Sequence, residues 1–322
     1  MKLLAPLLQG FFAERLITQW NCSTHTIASY RDTFRRLLEF AKKRINKNPC
    51  DLQLSDLNAE LVTDFLNDLE TNRKNSIRTR NARLAAIRSF FRYISVREPA
   101  YLGQIQQVLA TPQKKYEKNI VQFLNESEVN ALLAAPDCKN WLGMRDYTLI
   151  MLAIQTGLRV SEITGLRCED VVLGSTSYVR CQGKGRKNRC TPLTHNSVKA
   201  LRSWFRKRNG SPNDPLFPSI RGDRLSRDSV EHLLKKYTAT AAEVATSLKK
   251  KNVSPHMLRH TAAVRLLQAG VDRSVIALWL GHEHVETTQI YLHADISIKE
   301  KALARTAPLG AARITRYKPD DS

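Results

Sequence analysis

Between Thr24 and Arg44 the residues Ile27, Tyr30, Phe34, Leu37, Leu38 and Ala41 recur every three or four positions, and Arg and Lys occupy the opposite side. A period of 3.6 residues gathers such apolar side chains into one stripe, which is stable only when it is buried against another element. The stretch predicts an amphipathic helix. Asn58 opens a second pattern of this kind, with Leu61, Val62, Phe65, Leu66 and Leu69 inward, and Ser76 a third, with Leu84, Ile87, Phe91 and Ile94 inward. Stripes that must face one another predict an all-helical bundle over residues 1–97. Ahead of them, "KLLAPLLQGFFAERLI" has the wrong flanks for a signal peptide. It reads as an entry helix whose Phe11, Phe12 and Leu16 pack onto the bundle.

After Arg97, "EPAYLGQIQQVLATPQKKYEKNI" carries Pro99, Gly103, Pro112 and a charged run. That composition suits an exposed connection, so residues 98–118 are expected to link two domains. A second domain, 119–322, opens with Asn125 as N-cap, Glu128 as its capping-box partner and Pro136 as the stop. It is mostly helical. In "TSYVRCQGKGRKNRCTPLT", β-formers alternate on either side of a glycine-bracketed turn, which predicts a hairpin with Lys184 at or near its tip. The fold class expected is mainly α with a small β-sheet or hairpin: a helical domain followed by an α+β domain.

The 322 residues carry a formal charge of +21, with Lys and Arg spread along the chain. Such a field attracts a polyanion. No apolar run approaches the roughly 20 residues of a membrane span, which leaves nucleic acid ahead of a membrane surface. The six cysteines show no C-x-x-C pair and no zinc-finger spacing, so they read as reduced thiols in a cytoplasmic protein without a structural metal. On the Ser76 helix, Arg78, Asn81, Arg88 and Arg92 share an outer face. That stripe suits phosphates or a major groove; a solvated face is the alternative, and the overall charge favours DNA contact.

Four further places can carry chemistry. In "AIQTGLRVSEITGL", a helix from about Trp141 should end on Gly157 and a short one begin near Val160, which holds Arg159 in a corner where Glu162 can orient it. A purely structural ion pair fits this segment equally well. In "QGKGRKNR" the pattern of a phosphate-binding loop before a helix is absent. A lysine on a projecting hairpin can instead contact phosphate or deliver a proton to a leaving oxygen. In "SPHMLRHTAAVRLLQAG", Ser254 caps and Pro255 opens a helix that ends at Gly270, so His256 and Arg259 share a face near its positive end, a natural seat for phosphate. His256 and His260 lack the Glu of a zinc-binding H-E-x-x-H, and His260 reads as an internal hydrogen-bonding histidine. Last, Asp272 caps a helix through Leu280, Gly281 breaks it, His282 follows, and Tyr291 lies on a helix beginning near Glu286. A lone tyrosine between Ile290 and Leu292 suits core packing as well as chemistry.

Taken together, "TGLRVSE", "GKGRK", "HMLRHT" and "LGHEHVETTQIYLH" resemble the tyrosine recombinase (phage integrase) family, with the first domain as its core-binding module. The resemblance implies a DNA strand-exchange enzyme whose catalytic set is Arg159, Lys184, His256, Arg259, His282 and Tyr291, with Glu162 bracing the arginine and Arg78, Arg88 and Arg92 touching DNA. Tyr291 would be the nucleophile of a 3′-phosphotyrosyl link; Arg159 and Arg259 would clamp the phosphate with His282 adding a hydrogen bond. His256 would accept or support transfer of the phenol proton, and Lys184 would protonate the 5′-oxygen. No cofactor and no metal are expected. The expected partners are double-stranded recombination sites and further copies of the chain, four on two duplexes or mixed with related recombinases, docked through a terminal helix within 296–322. The stretch "YLGQIQQVLATPQKK" points to a mobile-element integrase or transposase; resolution of DNA dimers by an Xer-like enzyme, or a non-cleaving DNA-binding factor, are the alternatives.

Overall fold

Every amphipathic stretch described above forms a helix with its expected stripe inward. The computed structural model describes residues 2–117, 121–183, 188–281, 286–289 and 291, and the chain divides into two units, 1–118 and 119–322. In the first, α1 (Leu4–Gly10) runs directly into a π-helical stretch, Phe11–Gln19. Then come α2 (Thr24–Ile45), α3 (Ala59–Thr71) and α4 (Ile77–Ser95). Ser23, Asn58 and Ser76 cap these helices, each side chain accepting from the backbone N–H three residues on. Leu61, Val62, Phe65, Leu66 and Leu69 are buried, as are Leu84, Ile87, Phe91 and Ile94. Phe11 meets Phe34 and Phe90 edge-on, at 6.1 and 5.5 Å between ring centroids, and so joins the entry segment to the bundle.

The stretch 98–118 departs from the expected exposed connection. Pro99–Tyr101 forms a 3-10 turn and α5 (Leu102–Ala110) follows, with Ile105 and Val108 fully buried in the core of the first unit. Pro99 sits at the first position of its turn, where the missing N–H costs nothing. The next residues are also tied down. Arg88 donates to the Thr111 carbonyl, and Asn81 exchanges two hydrogen bonds with Lys114, Nδ2 to O at 2.8 Å and N to Oδ1 at 3.1 Å. Lys114 Nζ reaches Glu70 at 2.9 Å. The first unit therefore extends well past Arg97.

The second unit opens with α6 (Glu126–Ala134), where Asn125 and Glu128 form the expected capping box at 2.9 Å in each direction. Glu128 is wholly buried and also accepts Lys251 Nζ and Ser247 Oγ, both at 2.6 Å. Next come α7 (Trp141–Thr156) and α8 (Val160–Gly165). A three-stranded antiparallel sheet follows, β1 (Val171–Val172), β2 (Tyr178–Gln182) and β3 (Asn188–Pro192), in that order. Its hairpin pairs Val179 with Thr191 and Cys181 with Arg189. Lys184, expected at the tip, lies outside the described residues. Then α9 (His195–Arg208) buries Trp204, whose indole donates to Leu216 O at 2.9 Å, and α10 (Arg227–Val244) closes over the core. The last helices are α11 (Pro255–Gln268), α12 (Arg273–Leu280) and α13 (Glu286–Gln289). The expected terminal helix within 296–322 lies outside the described residues. Among the described residues no helix is long and apolar enough to cross a membrane.

One glycine sets the geometry on which the site depends. Gly157 ends α7 at φ +64°, and a Cβ there would sit 2.5 Å from Leu280 Cδ2 and 3.1 Å from Ala262 Cβ. A side chain is opposed both by the left-handed backbone and by the packing of α11 and α12 on this corner. Gly157→Ala is expected to lower unfolding stability by about 3 kcal/mol, read as a lower denaturant midpoint at unchanged slope.

Candidate active site

The turn after Gly157 delivers Arg159 as the N-cap of α8, and Glu162 reaches back to it. The Glu162 carboxylate accepts the Arg159 backbone N–H at 2.7 Å and its Nη1 at 2.9 Å. From across the fold, α11 supplies Arg259, buried, with Nη1 donating to Gly157 O and Nη2 to Leu280 O, both at 2.7 Å. Arg159 Nη2 donates to the next carbonyl, Gly281 O, at 3.2 Å. Helices end with carbonyls that no further turn can satisfy. Two guanidinium groups therefore meet at the carbonyl end of α12, held there by its negative pole. Burial and the neighbouring Arg159 charge bring the Arg259 pKa down to about 10, so it stays charged at neutral pH.

Tyr291 lies against this corner. Its ring is buried with Ala263, Val264, Leu267, Ile276 and Leu280, and its hydroxyl is 3.1 Å from His260 Nδ1. Burial raises the phenol pKa, an effect opposed by the positive charges of Arg259 and then Arg159. His260 is pushed down to about 4, mainly by burial and then by His256 and Arg259, so it is neutral at pH 7. The internal hydrogen bond expected of His260 is thus made to Tyr291, whose ring packs into the core while its hydroxyl lies within the field of the two arginines.

The other expected residues divide. His256 stands at the exposed start of α11, its ring 6.2 Å from that of His260. Lys184 and His282 fall outside the described residues. Arg78 and Arg92 are exposed on α4, as the stripe requires. Arg88 is not part of a free stripe: it is spent on Thr111, as Asn81 is on Lys114, because α5 returns the chain to that face of α4. Sequence reasoning passed over Arg189, which binds Glu162 through Nη2 to Oε2 at 2.7 Å and Nη1 to Oε1 at 3.1 Å. The signal was present. In β3 an arginine alternates in phase with the buried Thr191 and pairs with the buried Cys181.

The phage integrase family profile matches residues 122–297, and the N-terminal SAM-like domain of phage integrases matches 10–98. The chain belongs to the phage integrase family. Within that family it is 50% identical over 319 residues to the Sinorhizobium fredii protein named integrase/recombinase y4rC, covering 99% of this chain and 96% of that one. It is 34% identical to tyrosine recombinase XerC of Pelobacter propionicus, covering 90% and 92%. It shares its fold with the integrase of transposon Tn1549 solved with transposon right-end DNA, at TM-score 0.69 and 16% identity over 94% of this chain and 99% of that one.

The His260 environment has a measurable consequence. A histidine takes its proton near 6.5 when unfolded, and His260 does so at about 4 when folded. Between those values the unfolded chain binds the proton more readily, so this contribution is full above 6.5 and is lost as pH falls through the window. His260→Gln is expected to flatten that part of the stability profile, as read from denaturant midpoints taken between neutral pH and about pH 4.

Proposed function

We propose that this phage integrase family member cuts and rejoins duplex DNA at specific sites, with Tyr291 as nucleophile. The observation that carries the assignment is the tyrosine hydroxyl held by a neutral histidine in the field of two clustered arginines. In cleavage, Tyr291 Oη forms a bond to phosphorus while the bond from phosphorus to the 5′-oxygen breaks, leaving a 3′-phosphotyrosyl link and a free 5′-hydroxyl. One phosphodiester replaces another, so no external energy source is needed. His256, on α11 near His260, accepts the phenol proton or supports its transfer, and Lys184 supplies a proton to the departing 5′-oxygen. Arg159 and Arg259 take the non-bridging oxygens in exchange for the carbonyls they hold here, and His282 adds a donor. Such a donor lowers the barrier by about 3 kcal/mol, some hundredfold in rate. Because Tyr291 is only 2% exposed, attack requires it to turn out of its cluster when DNA is bound.

The substrate reading rests on the formal charge of +21 and on the exposed Arg78 and Arg92. The biological role proposed is integration, excision or transposition of a mobile element. It is supported by 50% identity to a protein named integrase/recombinase against 34% to a XerC; Xer-like resolution of DNA dimers fits the same chemistry. The working form proposed is a tetramer on two duplexes, of this chain alone or mixed with related recombinases, in the cytoplasm. The burial of Tyr291 favours one rival, a DNA-binding factor that does not cut.

Tyr291→Phe separates the two readings. The native chain is expected to form a covalent protein–DNA adduct on a denaturing gel, and the variant to bind the recombination site without forming one; absence of the native adduct, or an adduct from the variant, would overturn the assignment. Since arginines meet the phosphate charge, adduct yield is also expected to be unchanged in EDTA, and a strict need for a divalent ion in the same gel assay would count against the mechanism.

A further inference from the structure

Glu162 is the most heavily used carboxylate at the site. It accepts two hydrogen bonds from Arg189, one from the Arg159 side chain and one from the Arg159 backbone, which fills its capacity as an acceptor. Burial alone would raise its pKa; the hydrogen bonds from Arg189 and then Arg159 overcome this and hold it below the ordinary value, so it is ionised. The three groups differ in access to solvent. The side chains of Glu162 and Arg189 are 5% and 12% exposed, whereas that of Arg159 is 30% exposed.

This asymmetry raises a question of charge. Arg159 paired with Glu162 alone would be a neutral pair, and a neutral pair attracts a phosphate weakly. With Arg189 on the same carboxylate, one unit of positive charge remains, and the member able to present it is Arg159. Arg189 also packs on the turn whose carbonyl Arg159 holds: a Cβ on Gly281 would lie 2.6 Å from its Nη1. We infer that Arg189 is a positioning residue that neutralises Glu162, leaving the Arg159 charge free for an anion while keeping the orientation that Glu162 gives it. The anion is a phosphate group, and its identity as a DNA phosphodiester rests on the function proposed above.

The competing account, in which Arg189 merely ties β3 to α8, makes a different prediction for a double substitution. Inorganic phosphate is the probe, titrated calorimetrically, and the binding lost in Arg159→Gln defines the part due to this corner. Arg189→Gln is expected to weaken that binding roughly fivefold to tenfold, as removal of one nearby charge in a partly solvated site does. Arg189→Gln with Glu162→Gln removes the negative charge as well and is expected to recover it to within about threefold, and Arg189→Lys to retain most of it, because the charge is kept while the fork is lost. Native-like binding by Arg189→Gln, a double variant as weak as the single one despite a native-like melt, or no phosphate binding that depends on Arg159 would each overturn the inference. Adduct formation by the same chains is expected to follow the order of phosphate affinity. If no chain forms an adduct, the native one included, while that order holds, the recombination reading fails and the role of Arg189 stands.

Discussion

Two guanidinium groups donating to successive carbonyls, Leu280 O and Gly281 O, are the constraint around which the second unit is arranged. Like charges so close repel, and they remain together because each is anchored to a different element and both face the negative end of α12. Gly157 allows α11 and α12 to close on the end of α7, and Glu162 sets the direction of Arg159. The fold thus stores positive charge at one point, with both Arg259 donors and one Arg159 donor spent on neutral carbonyls. A phosphate offers stronger charge-assisted bonds than a carbonyl does. The arginines can therefore change partner without moving their backbones.

The tyrosine shows the same economy. Its ring fills part of the hydrophobic cluster between α11 and α12, and its hydroxyl is satisfied by a histidine kept neutral by burial and by adjacent positive charge. One residue would thereby serve both the packing and the chemistry proposed for it. Considered as a core residue it needs no further explanation; its position beside two arginines is what distinguishes it.

Much of this was legible in the sequence, and the parts that were not share a cause. Stripes such as Leu61 to Leu69 and caps such as Ser23, Asn58 and Ser76 depend on neighbours a few positions away, so local pattern determines them. The Arg159–Glu162 corner was legible for the same reason, since Gly157 and the spacing of three lie within one turn. Residues 98–118 were misread because Pro99, Gly103 and Pro112 outweighed the spacing of Ile105 and Val108, which is apolar only on the side that meets the bundle. Arg88 was misread because its acceptor, Thr111, lies 23 positions away. The bonds from Arg189 to Glu162 and from His260 to Tyr291 span 27 and 31 positions, and no local period announces either partner.

Glu128 serves two structures with one carboxylate: it closes the capping box of α6 and neutralises Lys251 just ahead of α11. Two segments more than a hundred residues apart therefore share a single buried anion. Neither can fray alone without stranding that charge in the interior, so the start of the second unit and the approach to α11 open as one cooperative element.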